Sequence, residues 1–548
     1  MSNPLFLRIS PADNVLVALR DIAPGEILLA GDREVAVQEH IPAKHKIAVG
    51  DLHSGDPVYM YGVLVGRATC PVPSGSLIST NNLKHAAEVF GKRRGEYEWQ
   101  PPDVSRFINR TFMGYHRPDG QVGTRNYWLV IPLVFCENRN ILVLKDAFLK
   151  ELGYAQPDVY RDYLRELSAY YAEHGTTAGF SPELKWNDVS SGRMFSNVDG
   201  IKFLTHESGC GETRDDSENL CALLAGYCVN PNVAGVTVLS LGCQHAQIQL
   251  FREKLTEKDP DFAKPLLIFE RQKWETEYAM LTEAIRQTFA GLVEINKIER
   301  KPAGLEHLCV GVKCGGSDGF SGISANPATG HAADMIVALG GKVLMAEYPE
   351  LCGVEQELID RCVSDETADN FIHLMREYAQ RAEAIGAGFD MNPSPGNIRD
   401  GLITDAIKSA GAARKGGSSP VVSAVGYGGY ARTGGLHLVC TPGNDVLSTT
   451  GMAGAGATIQ LFTTGLGTAT GNPVSPMVKL STNHELARKM PDIIDINCGG
   501  IITGEKTVEQ MGEEILEYII NLANGKFETK ATQLGQDDFM FWKRGVSL

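Results

Sequence analysis

Residues 308–322, LCVGVKCGGSDGFSG, decide how the rest of the chain is read. An apolar run stops at Cys314 and gives way to Gly315, Gly316, Ser317 and Asp318, the pattern of a buried strand emptying into a loop. In open parallel sheets these loops form one rim where ligands bind, because every strand delivers its last side chains there. The same phrase recurs. YWLVIPLVFCEN (127–138) brings Cys136 to the end of an apolar run, GIKFLTHESGCGE (200–212) brings Cys210 and VAGVTVLSLGCQH (233–245) brings Cys243, so four thiols are predicted at one edge. Later runs end in other chemistry: KVLMAEYPELCG (342–353) carries Glu347, Glu350 and Cys352, LHLVCTPGND (436–445) carries Cys440 and Asp445, and ATIQLFTTGLGT (457–468) carries Thr463 and Thr464.

Outward from these strand ends the chain divides. Residues 113–300 and 301–548 alternate apolar strands with helical three-and-four periodicity, which predicts a two-part α/β body with parallel sheets. Residues 1–90 are short alternating runs broken by PG, SG and PSG turns, a small all-β module of barrel-like type. Between them, 91–112 is charged, Pro-containing and aperiodic, and reads as a linker. An irregular loop is expected over 175–195, and the polar, aromatic tail 526–548 is expected to pack on the body or on a partner subunit.

The 548 residues exceed one hydrophobic core, and 43% apolar with 21% charged residues is the composition of a soluble globular protein. A net charge of −15 without any Lys/Arg-rich run argues against nucleic-acid binding and leaves room for a local basic pocket for a small anion. MSNPLFLRISPADN lacks the character of a signal peptide, and no apolar run reaches membrane-spanning length, so the expected compartment is the cytoplasm. Twelve cysteines are then expected as reduced thiols, some of them metal ligands, rather than as a disulfide framework.

GYHRPDGQVGTRN, the His206 block with Gly209-Cys210-Gly211, LSLGCQ, KCGGSDGFSGISANPA, MNPSPGN and FTTGLGT occur in this order, and together they resemble the altronate/galactarate dehydratase family. The β module resembles that family's N-terminal SAF domain. The resemblance implies loss of water from a sugar acid, with iron or another divalent metal required. TPGNDVLSTTG and the tail ending WKRGVSL are most similar to members acting on altronate, which implies conversion of D-altronate to 2-dehydro-3-deoxy-D-gluconate; galactarate is the competing substrate. One departure is local. Many family SAF domains carry His-x-His-Asn where this chain has Ser79-Thr80-Asn81-Asn82, so any role of those histidines would pass to His85 or His116.

Dehydrating a sugar acid removes a proton next to a carboxylate and expels the hydroxyl one carbon away, which calls for a base, a cation for the enediolate and an acid or metal for the leaving group. His206, His245 and Lys313 are the expected proton-transfer candidates, each with a structural alternative such as a strand-end hydrogen bond or an ion pair. Arg117, Asp119, Arg125 and Asn126 are expected to bind the carboxylate and hydroxyls unless they merely clasp a loop. Ser317, Asp318, Ser321, Asn326, Thr463 and Thr464 are expected as hydroxyl partners. Two metal sets compete. Cys136, Cys210, Cys243 and Cys314 would select an iron–sulfur cluster or zinc, whereas Glu347, Glu350, Asp318 and His206 would suit Fe2+, Mn2+ or Mg2+. No GxxxxGK[ST] accompanies the Gly-rich loops, which excludes a P-loop nucleotide site. A lyase expelling sulfite from a sulfonated hydroxy acid and a non-catalytic sugar-acid sensor are the alternative functions, and a homo-oligomer is a possible assembly.

Overall fold

The computed structural model describes residues 4–182 and 192–547; of the irregular loop expected over 175–195, residues 183–191 lie outside them. The N-terminal module is all-β and antiparallel. Phe6–Leu7, Val15–Ala18, Lys46–Ala48 and Leu77–Ile78 form one sheet, Ile27–Ala30 pairs with Arg33–Ala36, and Pro57–Met60, Val63–Ala68 and Leu83–Lys84 form a third. The body is α/β.

Its first sheet is parallel, in the order Gly200–Phe203, Tyr127–Pro132, Val233–Ser240, Leu266–Glu270. Both faces are covered, so its central strands are buried throughout and mainly apolar rather than alternating. The two-residue period still divides them: Trp128 and Val130 pack with Ile141, Leu144 and Met280 on one side, while Leu129 and Ile131 pack with Leu220, Leu224 and Phe251 on the other.

The second sheet is also parallel and has seven strands, ordered Val421–Val425, Gly435–Val439, Lys342–Met345, Cys309–Cys314, Ile459–Thr464, Met477–Ser481 and Ile496–Asn497. The chain leaves the central strand Cys309–Cys314 toward one side, then returns past it to build the other. The strand order therefore reverses between Cys309–Cys314 and Ile459–Thr464, the position at which open parallel sheets bind ligands beyond their carboxyl ends. Helix Val508–Ala523, started by a Thr507/Gln510 capping box, packs against helix Ala325–Ala338 over this sheet.

The two α/β units are joined at the amino ends of their strands. Asn232 donates to the carbonyls of Thr458 and Val474, both at 2.8 Å, and Asn230 donates to those of Ala453 and Ala457. Helices Arg214–Val229 and Asp445–Gly454 each start at the rim of their own sheet and meet at their far ends, where Gly226 lies against Gly454. Both rims thus open on the same side of the molecule. The C-terminal tail straps them together: Trp542 N–H donates to the Tyr427 hydroxyl, and the N–H groups of Arg544 and Gly545 donate to Asp216 in the first turn of helix Arg214–Val229.

The β module docks on the second sheet. The Lys44 ammonium lies 3.1 Å from Asp318 and 3.0 Å from Asp400, and Lys46 donates to the Gly401 carbonyl at 2.5 Å. Residues 91–110 then run over the same unit, pinned by Arg93–Asp365 and by the Tyr97 hydroxyl on the Ser418 carbonyl. Among the described residues no helix is long and apolar enough to cross a membrane.

Candidate active site

At the reversal of the second sheet, six charged side chains and a thiol gather. Lys313, the next-to-last residue of the central strand, forms an ion pair with Glu347 just beyond the end of the neighbouring strand and lies 2.8 Å from Asp445. Lys415 approaches Glu347 at 3.5 Å, Glu350 at 3.7 Å and the Cys314 Sγ at 3.2 Å, while Lys408 pairs with Glu350 at 3.0 Å. Three ammoniums thus face three carboxylates. Lys313, Glu347, Lys415 and Glu350 are at most 3% exposed at the side chain, whereas Asp445 is 33% exposed and forms the open face of the group.

Burying so many charges is costly even when they are paired, so the arrangement is poor as mere scaffolding. Local backbone strain marks the same place: Glu347 has φ 75°, in the left-handed region that a glutamate adopts only when its surroundings impose it. Electrostatics separate the two glutamates. Burial and the adjacent Glu350 raise Glu347 above the usual carboxylate range; Glu350, although buried, is held below that range by Lys408, Lys415 and Lys313. Burial opposes the charge of Lys313, yet Glu347, Asp445 and Glu350 keep it protonated, and burial pushes the Cys314 thiol up to about 11.

Beside this network lies a cavity of about 540 Å3 between the β module and the second α/β unit, lined in part by His85, Cys352, Glu383, Asp390 and Asp405. The donor atoms of His85, Cys352 and Asp405 all lie within 4.8 Å of one another. Asp405 is buried with Oδ2 unpartnered, and burial pushes its carboxyl up to about 8. His85 Nδ1 accepts from Ala406 N–H.

The polar loop residues expected at this rim hold it together. Asp318 Oδ1 accepts from Ser321 Oγ at 3.0 Å, and Oδ2 accepts from Thr482 Oγ1 and faces Lys44. Thr463 Oγ1 donates to Asn326 Oδ1 across the reversal, Ser317 O accepts from Asn397, and Thr464 Oγ1 accepts from the N–H groups of Leu466, Gly467 and Thr468. Thr463 Oγ1 also lies 3.4 Å from the Lys313 carbonyl, which ties the loop to the backbone of the six-charge group.

Other expected site residues lie elsewhere. Arg117, Arg125 and Asn126 sit at the amino ends of the first-sheet strands, the edge opposite the rim. Arg117 donates to the carbonyls of Pro231 and Arg125 and to Asn126 Oδ1; Arg125 donates to the carbonyls of Thr124, Leu522 and Phe527. Asp119 closes its own turn on Gln121. These residues clasp the junction of the two units, and their donors are spent on backbone. His206 is buried with Nε2 on the Pro132 carbonyl and Nδ1 accepting from Ser208 N–H, and burial lowers its pKa, so neither nitrogen is free to take a proton. His206 is likewise remote from Glu347, Glu350 and Asp318 as a metal set, being on the first-sheet rim. The thiols divide as well: Cys136, Cys210 and Cys243 end adjacent strands of the first sheet, whereas Cys314 belongs to the second. His116 is exposed and bonds the Pro302 carbonyl. Lys408 and Lys415 were not singled out by sequence reasoning, since DAIKSAGAARKGG reads as an ordinary helix and its basic end.

Models of three domains match the chain in order: the altronate/galactarate dehydratase SAF domain over residues 4–86, the D-galactarate dehydratase/altronate hydrolase second domain over 114–296, and the D-galactarate/altronate dehydratase C-terminal domain over 305–547. The chain is 32% identical to an altronate dehydratase of Escherichia coli strain K12, covering 99% of this chain and 100% of that one. It is 33% identical to an altronate dehydratase of Bacillus subtilis strain 168, covering 99% of each, and 29% identical to an L-threo-forming galactarate dehydratase of Escherichia coli strain K12, covering 97% of this chain and 95% of that one.

Proposed function

Because the chain belongs to the altronate/galactarate dehydratase family, and is a hydro-lyase acting on a sugar acid, we propose that its substrate is D-altronate and its product 2-dehydro-3-deoxy-D-gluconate. The observation that carries the reading is the buried ammonium–carboxylate network at the reversal of the second sheet. A C–H beside a carboxylate is a weak acid. It ionises only where fixed cations meet the charge that develops on the enediolate, and Lys313 and Lys415 are such cations, held in place before substrate arrives. Glu347, raised toward neutrality, is the carboxylate suited to take the proton and return it.

The cavity favours an acid with one carboxylate. Away from His85, Cys352 and Asp405, its wall carries Glu383 and Asp390. A second carboxylate, as in galactarate, would meet like charge there; a terminal hydroxymethyl group would meet hydrogen-bond acceptors.

The divalent metal implied by the family suits one of the two close donor groups. Cys314, Glu347 and Glu350 are already neutralised by three ammoniums, which a dication would have to displace. His85, Cys352 and Asp405 fit better: the Asp405 oxygen lacks a partner, and an imidazole–thiolate–carboxylate set suits Fe2+ over Mg2+. Held there, the ion would supply a Lewis acid for the departing hydroxyl. The test is keto-acid formation from D-altronate and galactarate by protein supplied with Fe2+. At least tenfold faster turnover of altronate is expected; faster turnover of galactarate, or none of either, overturns the substrate assignment.

A further inference from the structure

The six-charge network and the cavity leave one set of reactive side chains unused, the three thiols on the rim of the first sheet. Cys136 lies in the turn Phe135–Glu137 after strand Tyr127–Pro132, Cys210 follows strand Gly200–Phe203, and Cys243 follows strand Val233–Ser240. These are three neighbouring parallel strands, with Tyr127–Pro132 in the middle, so their loops leave the sheet side by side, at strand spacings of about 4.8 Å.

The loops are fastened to one another. Phe135 N–H donates to the Ser208 carbonyl, the N–H groups of His245 and Ala246 donate to the Gly209 carbonyl, and Gly211 N–H donates to His245 Nδ1. Gly209, with φ 101°, presses so closely on the first loop that a Cβ there would lie 2.2 Å from the Leu133 carbonyl oxygen. The three thiols are thus held by backbone and are not carried on independent loop tips. Cys136 and Cys243 are exposed and Cys210 half-buried, whereas seven of the twelve cysteines are buried. Among the described residues, none of the three Sγ atoms bonds a group of another residue, yet Cys136 lies near enough to Cys210 and Cys243 to feel their charge.

We propose that Cys136, Cys210 and Cys243 hold a [4Fe–4S] cluster whose fourth iron has no protein ligand. The donor set points to a cluster: three free thiols on three adjacent strand ends offer one thiolate to each of three irons. The ligand type agrees, since soft thiolates select iron–sulfur clusters. Cys314 cannot supply the fourth ligand, being buried on the other sheet against Lys415 and Glu350. His245 Nδ1 is occupied by Gly211 N–H, and its ring is exposed.

The site is separate from His85, Cys352 and Asp405, and its test does not depend on turnover, so failure of the dehydratase reading and failure of this one are distinguishable. The full chain is purified without oxygen and assayed for iron, acid-labile sulfide and thiolate-to-iron absorption near the blue edge of the visible spectrum. About four sulfides per chain are expected. Cys136→Ser, Cys210→Ser and Cys243→Ser should each lose most of the sulfide, while Cys352→Ser and Cys70→Ser retain it. In the wild-type chain, alkylation mapped by mass spectrometry should spare these three thiols until the cluster is removed by chelator and oxidant, and label them afterwards, a readout that needs no variant to fold. Iron or zinc without sulfide, or labelling of all three thiols in sulfide-replete protein, overturns the proposal.

Discussion

Lys313 and Glu347 stand at the carboxyl ends of adjacent parallel strands and form an ion pair from which water is excluded, with the glutamate backbone held at φ 75°. The pair fixes two loops of the rim relative to each other, and it places an ammonium where negative charge must be stabilised. Its cost and its use therefore make separable predictions.

Removing one partner leaves a buried charge with fewer counter-ions. Lys313→Met is expected to destabilise the protein by roughly 3–5 kcal/mol and to abolish turnover. The double variant Lys313→Met/Glu347→Leu should recover most of that stability, because neither charge then needs solvation, while turnover stays lost. Urea midpoints combined with a keto-acid assay separate the two effects. Activity persisting in the double variant would remove the pair from the mechanism.

Asp405 links the cavity to pH. Its carboxyl is pushed from the ordinary 3.8 to about 8 by burial, so between about pH 4 and 8 the folded chain holds a proton that the unfolded chain has released. Stability contributed by this group is complete below pH 4 and is lost as pH rises toward 8, by up to about 1.4 kcal/mol per pH unit. In metal-free protein, Asp405→Asn should flatten this part of the stability–pH curve. Added Fe2+ should raise the unfolding midpoint of the wild type and leave that of Asp405→Asn unchanged.

Lys46 carries the opposite sign. Burial lowers its pKa from 10.5 to about 7, against the pull of Asp318, so from pH 7 to 10.5 the unfolded chain holds the extra proton. Stability therefore rises through that window as the unfolded state gives up its advantage. Because Lys46 donates to Gly401 O across the docking face of the β module, the effect reports on that contact. Lys46→Met should show a smaller rise than the wild type over pH 7–10.5. Equal slopes would mean that this lysine keeps its proton when docked.

The strand ends were legible in the sequence because a fully covered parallel strand must be apolar along its whole length, and its last residues then stand out. This reasoning located Lys313, Cys314, Glu347, Glu350 and Asp445 from one pattern. It passed over strands Val421–Val425 and Met477–Ser481, which are short and follow Gly- and Pro-rich segments. It also gave Arg117 and Arg125 to the substrate, since a sequence does not tell whether a guanidinium meets a ligand or its own backbone carbonyls. Lys408 and Lys415 carry no local signal at all. Their burial follows from the packing of Asp405–Ala413 and Arg414–Gly416 beneath the rim, which only tertiary contact determines.

Among the contacts that orient the two rims, the approach of Gly226 to Gly454 can be tested by adding a single methyl group. A Cβ on Gly226 would lie 2.0 Å from the Gly454 carbonyl oxygen, and both atoms belong to helix backbones that are further tied by Asn230 to Ala453 and Ala457. By helix propensity alone Gly226→Ala should gain about 1 kcal/mol. Overpacking against backbone costs about 1–3 kcal/mol or more, because no flexible side chain can move aside, so the clash wins. The variant is expected to melt below the wild type and to lose activity as the helices Arg214–Val229 and Asp445–Gly454 are forced apart, shifting Asp445 at the open face of the charged network. Gly426→Ala, where a Cβ meets nothing within 4 Å, should leave both properties near wild type. If Gly226→Ala is instead neutral or stabilising, the helices are not in the tight contact that sets the rims side by side.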